Sequence, residues 1–272
     1  MKFSLFLSLI PFVALLLFGD QAEARCERDS VQVGPVCVDK YEATVWKIPA
    51  AGNRRLIDEL EEGEARLSDL TSPSAVARGV VQLGANSADY DAAGCPETGN
   101  GCANVYAVSV SGAPPSRFIT WFQAQQACMN SGKRLLTNAE WQGAAAGTPD
   151  GGACVVNAAA PGPAGTPGCV SRWGVFDMVG NVSEWVADWI QGNSSPWSPT
   201  VDPVNNITNP TYGDDLMWGT NPAEFQGNGH SFPAALARGG DFQGQTGAGV
   251  FALFALDAPS FAFEGIGFRC GR

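Results

Sequence analysis

The chain reads as an α+β fold: two helices, an opening pair of strands and long ordered loops, stapled by disulfides. Three observations predict it. Two short helices are announced by capping boxes, Thr120 to Gln123 and Thr137 to Glu140, in which the first and fourth side chains satisfy each other's free backbone N–H groups. The eight cysteines, at 26, 37, 95, 102, 128, 154, 169 and 270, all lie beyond an N-terminal leader, and an even count in an exported chain reads as a disulfide framework. Residues 148–172 are rich in Gly, Pro and Ala and 191–234 in Pro, and that much ordered loop needs covalent or ionic ties.

Residues 1–24 form the leader. Lys2 supplies the positive start, Phe3 to Phe18 is an apolar run, and Ala22-Glu23-Ala24 offers a small-x-small cleavage site. The run is shorter than the ~20 residues that span a bilayer. A secreted or periplasmic protein without a membrane span is expected, with one domain over 25–272. A formal net charge of −11 repels phosphate backbones, so nucleic acid is not an expected partner.

Within 25–47, Val36-Cys37-Val38 leads to Tyr41–Trp46 as the opening strand pair. Residues 52–104 read as an insertion: a charge-rich, solvated stretch, part helix and part loop, then a Gly/Asn/Asp/Ala loop stapled by Cys95 and Cys102. In the first capped helix Trp121, Ala124, Ala127 and Cys128 share a face, and Gly132 stops it. In the second, Trp141, Ala144 and Ala145 form the buried stripe, and Gly147 ends it. Residues 148–172 and the proline-rich 191–234 are irregular.

Eight cysteines allow 105 pairings. Closeness in sequence favours Cys26–Cys37, Cys95–Cys102 and Cys154–Cys169, which leaves Cys128 with Cys270. A zinc or iron site is not expected, because no Cys-x-x-Cys occurs and His230 is the only histidine. A Ser-His-Asp triad would need that same His230, and no Gly-x-Ser-x-Gly elbow is present to serve it.

Four stretches carry a resemblance. Val38-Asp-Lys-Tyr-Glu-Ala-Thr44, Gly132-Lys-Arg-Leu-Leu-Thr-Asn-Ala-Glu-Trp141, the run from Gly174 to Trp189 around Asp177-Met-Val-Gly-Asn-Val-Ser-Glu-Trp185, and the closing Arg238-Gly-Gly with Gly267-Phe-Arg-Cys270 occur in that order. Together they resemble the formylglycine-generating enzyme, or sulfatase-modifying factor, family. The resemblance implies a C-type-lectin-like fold with two helices, small antiparallel sheets and long loops, and again a Cys128–Cys270 bridge. It implies a structural calcium on Asp177, Gly180, Val182 and Glu184, two side-chain and two backbone oxygens of the kind a hard cation prefers. Arg134 and Glu140 are expected to form a buried ion pair and helix cap. Asn181 starts a glycosylation sequon but lies inside a packed motif. Asn193 and Asn206 start others.

The family's oxidase uses two cysteines after the RGG to hold copper. They would fall near Gly244 and Gly249, and no cysteine occurs between 170 and 269, so no copper is expected. The same closing stretch resembles the variable region of diversity-generating retroelement proteins, which use this fold to display a ligand face on a fixed frame. That resemblance places ligand-facing residues at Asp241, Phe242, Gln243, Gly244, Phe254, Leu256, Asp257, Phe261 and Phe263, with Gly247 and Gly265 also open to variation. The expected function is a secreted, non-catalytic protein that binds a protein or glycan through 241–265. The alternative is a formylglycine-generating oxidase or its inactive paralogue.

Overall fold

The computed structural model describes residues 26–190, 217–218, 234–255 and 257–272, with the backbone alone at 190, 217 and 218. The leader, His230, Asn193, Asn206 and Leu256 lie outside the described residues.

The chain opens with a hairpin, β1 (Ser30–Val33) on β2 (Val36–Asp39). The next strand, β3 (Thr44–Lys47), does not pair with β2 as the sequence suggested. It joins a separate sheet, flanked by β4 (Val81–Leu83) and β5 (Val105–Val108). Lys40 N–H, held on the Asp29 carbonyl at 2.9 Å, fixes the turn that separates the two strands.

Between β3 and β5 lie four short helices: α1 (Arg54–Glu61), α2 (Leu67–Leu70), α3 (Pro73–Ala77) and α4 (Asp89–Ala92). They come in addition to the two helices read from the capping boxes. Their stretch is also less solvated than its charge suggested. The charges of α1 occupy one side, in Arg54–Asp58 and Arg55–Glu59 pairs four residues apart. Leu56, Ile57 and Leu60 occupy the other and pack with Leu70, Trp46 and Tyr106 as a core of their own.

The two capped helices form as expected. In α5 (Trp121–Asn130) the Thr120 hydroxyl accepts from Gln123 N–H while the Gln123 side chain accepts from Thr120 N–H. In α6 (Asn138–Ala145) Thr137 and Glu140 do the same. Ala124, Ala127 and Cys128 are buried, as are Trp141, Ala144 and Ala145, and Trp121 is half-buried. Between them runs β6 (Arg134–Leu135).

The second half supplies β7 (Ser183–Ile190), β8 (Met217–Trp218), β9 (Ala234–Arg238), β10 (Leu253–Phe254), β11 (Ile266–Phe268) and β12 (Cys270–Gly271). Five of these form a sheet in the order β11-β7-β9-β10-β8. It is mixed where small antiparallel sheets were expected: β11 runs parallel to β7, and β10 to β8. Parallel neighbours need a long connection, and here the chain between β7 and β11 supplies it.

The last strand closes the molecule. β12 lies between β2 and β6, and Cys37 and Arg272 exchange backbone hydrogen bonds at 3.0 and 2.8 Å. All eight cysteines are paired, as Cys26–Cys37, Cys95–Cys102, Cys128–Cys270 and Cys154–Cys169. The third joins α5 to β12 inside the main core, which also holds Leu135, Trp185, Ala237 and Phe268. No helix among the described residues is long and apolar enough to cross a membrane.

Candidate ligand-binding site

The RGG and GFRC ends work as a clamp. Arg238 lays its guanidinium over the Trp141 ring, 4.7 Å from the centroid, and donates to the carbonyls of Val250, Phe251 and Ala252 and to Gln142. Gly240 has a φ of +75°, and a Cβ there would meet Ala248 Cα at 2.7 Å, so only glycine lets the chain double back at this point. At the other end Arg269 is fully buried. It donates to both oxygens of Glu184 and to the carbonyls of Asp39 and Phe176. The second Glu184 oxygen also accepts from Trp141 Nε1 at 2.7 Å.

These bonds bear on the expected calcium. Both Glu184 oxygens are engaged by Arg269 and Trp141, and Asp177 accepts from the N–H groups of Gly165 and Thr166 at 2.6 and 3.2 Å. Glu42, buried beside them, accepts from Asn181 and from Val182 N–H. Its carboxyl is pushed well above the ordinary range, first by burial and then by the charges of Asp177 and Glu184. Among the described residues no group of three acidic, histidine or cysteine side chains is arranged to hold a metal ion. The Asp177, Gly180, Val182 and Glu184 set therefore does not fit calcium as folded, since an ion there would have to displace Arg269. Asn181 is fully buried, which suits the packed sequon.

Arg134 and Glu140 form a bidentate pair at 2.7 Å, and Glu140 caps α6 as expected. The pair is not buried: its side chains are 42 and 22% exposed. Arginine and backbone donors hold the Glu140 carboxyl down at about 2.

Within the clamp the nominated residues divide. Asp241, Phe254, Asp257, Phe261 and Phe263 line one cavity of about 220 Å³, together with Ser183, Ala237 and Ile266. The last three escaped the sequence reading. Ser183 and Ile266 sit inside motifs that read as frame, and their contribution follows from strand pairing: Ser183 faces Ile266, and Ala237 faces Phe254. The sheet is thus the floor. The loop 257–265 forms the wall, and its backbone is tied at four points: Ala235 N–H to Asp257, Trp121 N–H to Pro259, Phe118 N–H to Phe263 and Ser183 N–H to Gly265, all at 2.8–3.1 Å. Phe261 and Phe263 stand on this anchored loop, 39 and 40% exposed, with rings stacked 6.3 Å apart. They belong to no strand.

Asp241 is half-buried. Burial raises its carboxyl above the ordinary value, against the Gln243 N–H that donates to it at 2.9 Å, and the nearby Glu264 adds to the rise. A Cβ at Gly265 would stand 2.2 Å from the Asp241 carboxylate, so a side chain at 265 would force Asp241 to move.

Three nominated residues are not part of this wall. Phe242 is 1% exposed, with its backbone bonded to Asn181 and Ala158; its ring belongs to the interior and cannot meet a ligand. Gln243, exposed, and Gly244, half-buried, flank the 3₁₀ turn Gln245–Gly247 and do not line the cavity. Gly249, the other position equivalent to a copper-holding cysteine, is buried.

A larger cavity of about 480 Å³ opens near Arg28, Lys40, Tyr41, Arg66 and Ser109. Asp29 on its wall is already bonded to Lys133 and Arg272. It contains none of the nominated residues.

Residues 155–272 match the model of the sulfatase-modifying factor enzyme 1-like domain. Among solved structures the chain is similar to the Major Tropism Determinant M1 variant, with 17% identity, 90% of this chain and 52% of that one covered, and a TM-score of 0.46. It is also similar to Treponema denticola variable protein 1, with 18% identity, 59 and 71% covered, and a TM-score of 0.39. A third is the CarF structure, with 15% identity, 87 and 85% covered, and a TM-score of 0.38. The chain spans about half the length of the Major Tropism Determinant chains it matches. No curated protein matches it. The fold is α+β, with two capped helices, small sheets and four disulfides.

Proposed function

We propose that this chain, whose residues 155–272 match the sulfatase-modifying factor enzyme 1-like domain model, is an exported, non-catalytic protein that binds its ligand with the 241–265 segment. One observation carries the reading: five of the nine residues nominated from the sequence converge on one cavity, with two exposed, stacked phenylalanines at its edge. Rings held on an anchored loop give contact area with little ordering cost, as binding hot spots require. The lack of catalysis is supported by cysteine usage, because every thiol is in a disulfide and glycines stand where the oxidase would hold copper. Four disulfides and the leader sequence support an oxidising compartment.

The test is a fragment screen on ¹⁵N-labelled protein, using phenol, butylammonium and N-acetyl-leucinamide. Shifts centred on Phe254, Phe261 and Phe263 are expected. Shifts scattered over the surface would remove the reading. The family match favours a second reading, the formylglycine-generating oxidase. Conversion of a sulfatase peptide in the presence of copper would establish it and sink the first. Diversification of the segment, which the resemblance to retroelement variable regions implies, has its own check, sequencing of the gene's 3′ end across a population. Variation confined to 241, 243, 244, 247, 254, 256, 257, 261, 263 and 265 is expected, and a uniform sequence would count against it.

A further inference from the structure

The chemistry of the cavity says more than that something binds. Aromatic faces and carboxylates share its walls: Phe254, Phe261 and Phe263 with Asp241 and Asp257. Among the described residues no lysine or arginine lines it. Arg117 is engaged elsewhere, donating to the Glu264 carbonyl at 3.2 Å and lying 5.3 Å over the Phe118 ring. The rings and the acids ask for the same occupant. The face of an aromatic ring attracts a cation, and a planar guanidinium stacks on it as well. A carboxylate beside the ring gives that cation a charge-assisted hydrogen bond. The size agrees. About 220 Å³ falls below the roughly 300–1,000 Å³ of clefts that hold whole small molecules, and suits one long side chain. The chain's net charge of −11 would draw a basic partner in.

We propose that the cavity receives a basic side chain, an arginine above all, presented by a polypeptide partner. The proposal rests on the reading of this cavity as the ligand site. Asp241 takes the guanidinium by its edge, and Phe261 and Phe263 cover its face. Lysine fits less well because its ammonium is compact and strongly hydrated and has no plane to stack.

The experiment titrates the ¹⁵N-labelled, disulfide-bonded chain with acetyl-Gly-Gly-Arg-Gly-Gly-amide and with the same peptide carrying citrulline, the neutral isostere of arginine. The arginine peptide is expected to shift Phe254, Phe261 and Phe263 and to bind at least about tenfold more tightly than the citrulline peptide. Asp241→Asn should remove that discrimination. The double variant Phe261→Leu, Phe263→Leu, which keeps apolar bulk but loses the ring faces, should weaken the arginine peptide alone, and it serves if Asp241→Asn fails to fold. Met129→Ala, on the exposed face of α5, should change nothing. Equal binding of the two peptides at the cavity would overturn the cation preference and leave the binding reading intact. No shift at the cavity from either peptide would overturn the proposal, and the fragment screen then decides the binding reading by itself.

Discussion

The clamp and the segment it holds are built on opposite plans. In the clamp the charges meet partners inside the protein: Arg269 with Glu184, Arg238 with three carbonyls and a tryptophan face, Lys133 with Asp29 and Asp39. In the segment the Asp241 carboxyl is held by backbone N–H groups, and two phenylalanine rings stand partly in solvent. Phenylalanine marks the contrast most clearly. Phe242 and Phe268 are 1 and 0% exposed, while Phe261 and Phe263 are 39 and 40% exposed, all within one short stretch. Packing and exposure are therefore divided between different residues of the closing stretch.

The largest effect should come from the clamp. Arg269→Met would leave Glu184 buried with its main partner gone, and a loss of about 3–5 kcal/mol is expected in denaturant unfolding. A loss under ~1 kcal/mol would mean that the clamp is not what holds the segment. Next, Phe242→Ala should cost about 3–5 kcal/mol as a buried cavity, whereas Phe261→Ala should stay within ~0.5 kcal/mol as an exposed change. Equal costs for the two, by thermal unfolding, would erase the distinction between interior and displayed rings.

A smaller effect concerns pH. Asp39, fully buried with one oxygen lacking a hydrogen-bond partner among the described residues, has its carboxyl raised by burial to about 6 from an ordinary 3.8, while Lys133 opposes the rise. Its folded value lies above its unfolded one. Its contribution is therefore complete below about 3.8 and is lost as pH rises through about 6. Glu42 and Asp241, also raised, act in the same sense. Asp29, lowered by Lys133 and Arg272 against its own burial, and Glu140, held at about 2, contribute instead above their ordinary values and lose that contribution as pH falls. Asp39→Asn should flatten the decline in melting temperature across the upper window, and an unchanged slope would assign it to other groups. The smallest effect is expected from chelation. With Glu184 committed to Arg269, EDTA should leave the melting temperature where it was, and a drop restored by calcium would show that the loop 177–184 rearranges around an ion.

Much of the clamp was legible in the sequence because local rules govern it. The capping boxes of Thr120 and Thr137 place α5 and α6 through bonds spanning three residues. Short spacing brings three disulfides together, and the fourth follows once they are made. The missing thiols near 244 and 249 could be read directly. The mixed sheet could not, because the pairing of Ile266 with Ser183 joins residues far apart in sequence. Nor could the burial of α1's apolar side, since a charge-rich stretch shows its solvent face first. The arrangement of the site was decided only in three dimensions. An aromatic-rich run does not say which ring turns inward: Phe242, its backbone bonded to Asn181 and Ala158, lies in the interior, while the four backbone ties of loop 257–265 hold Phe261 and Phe263 at the cavity edge. The sequence alone determined that this segment is rich in phenylalanine and has no thiol before Cys270. Tertiary structure chose which of them share a cavity, because facing is set by long-range packing and not by residue type.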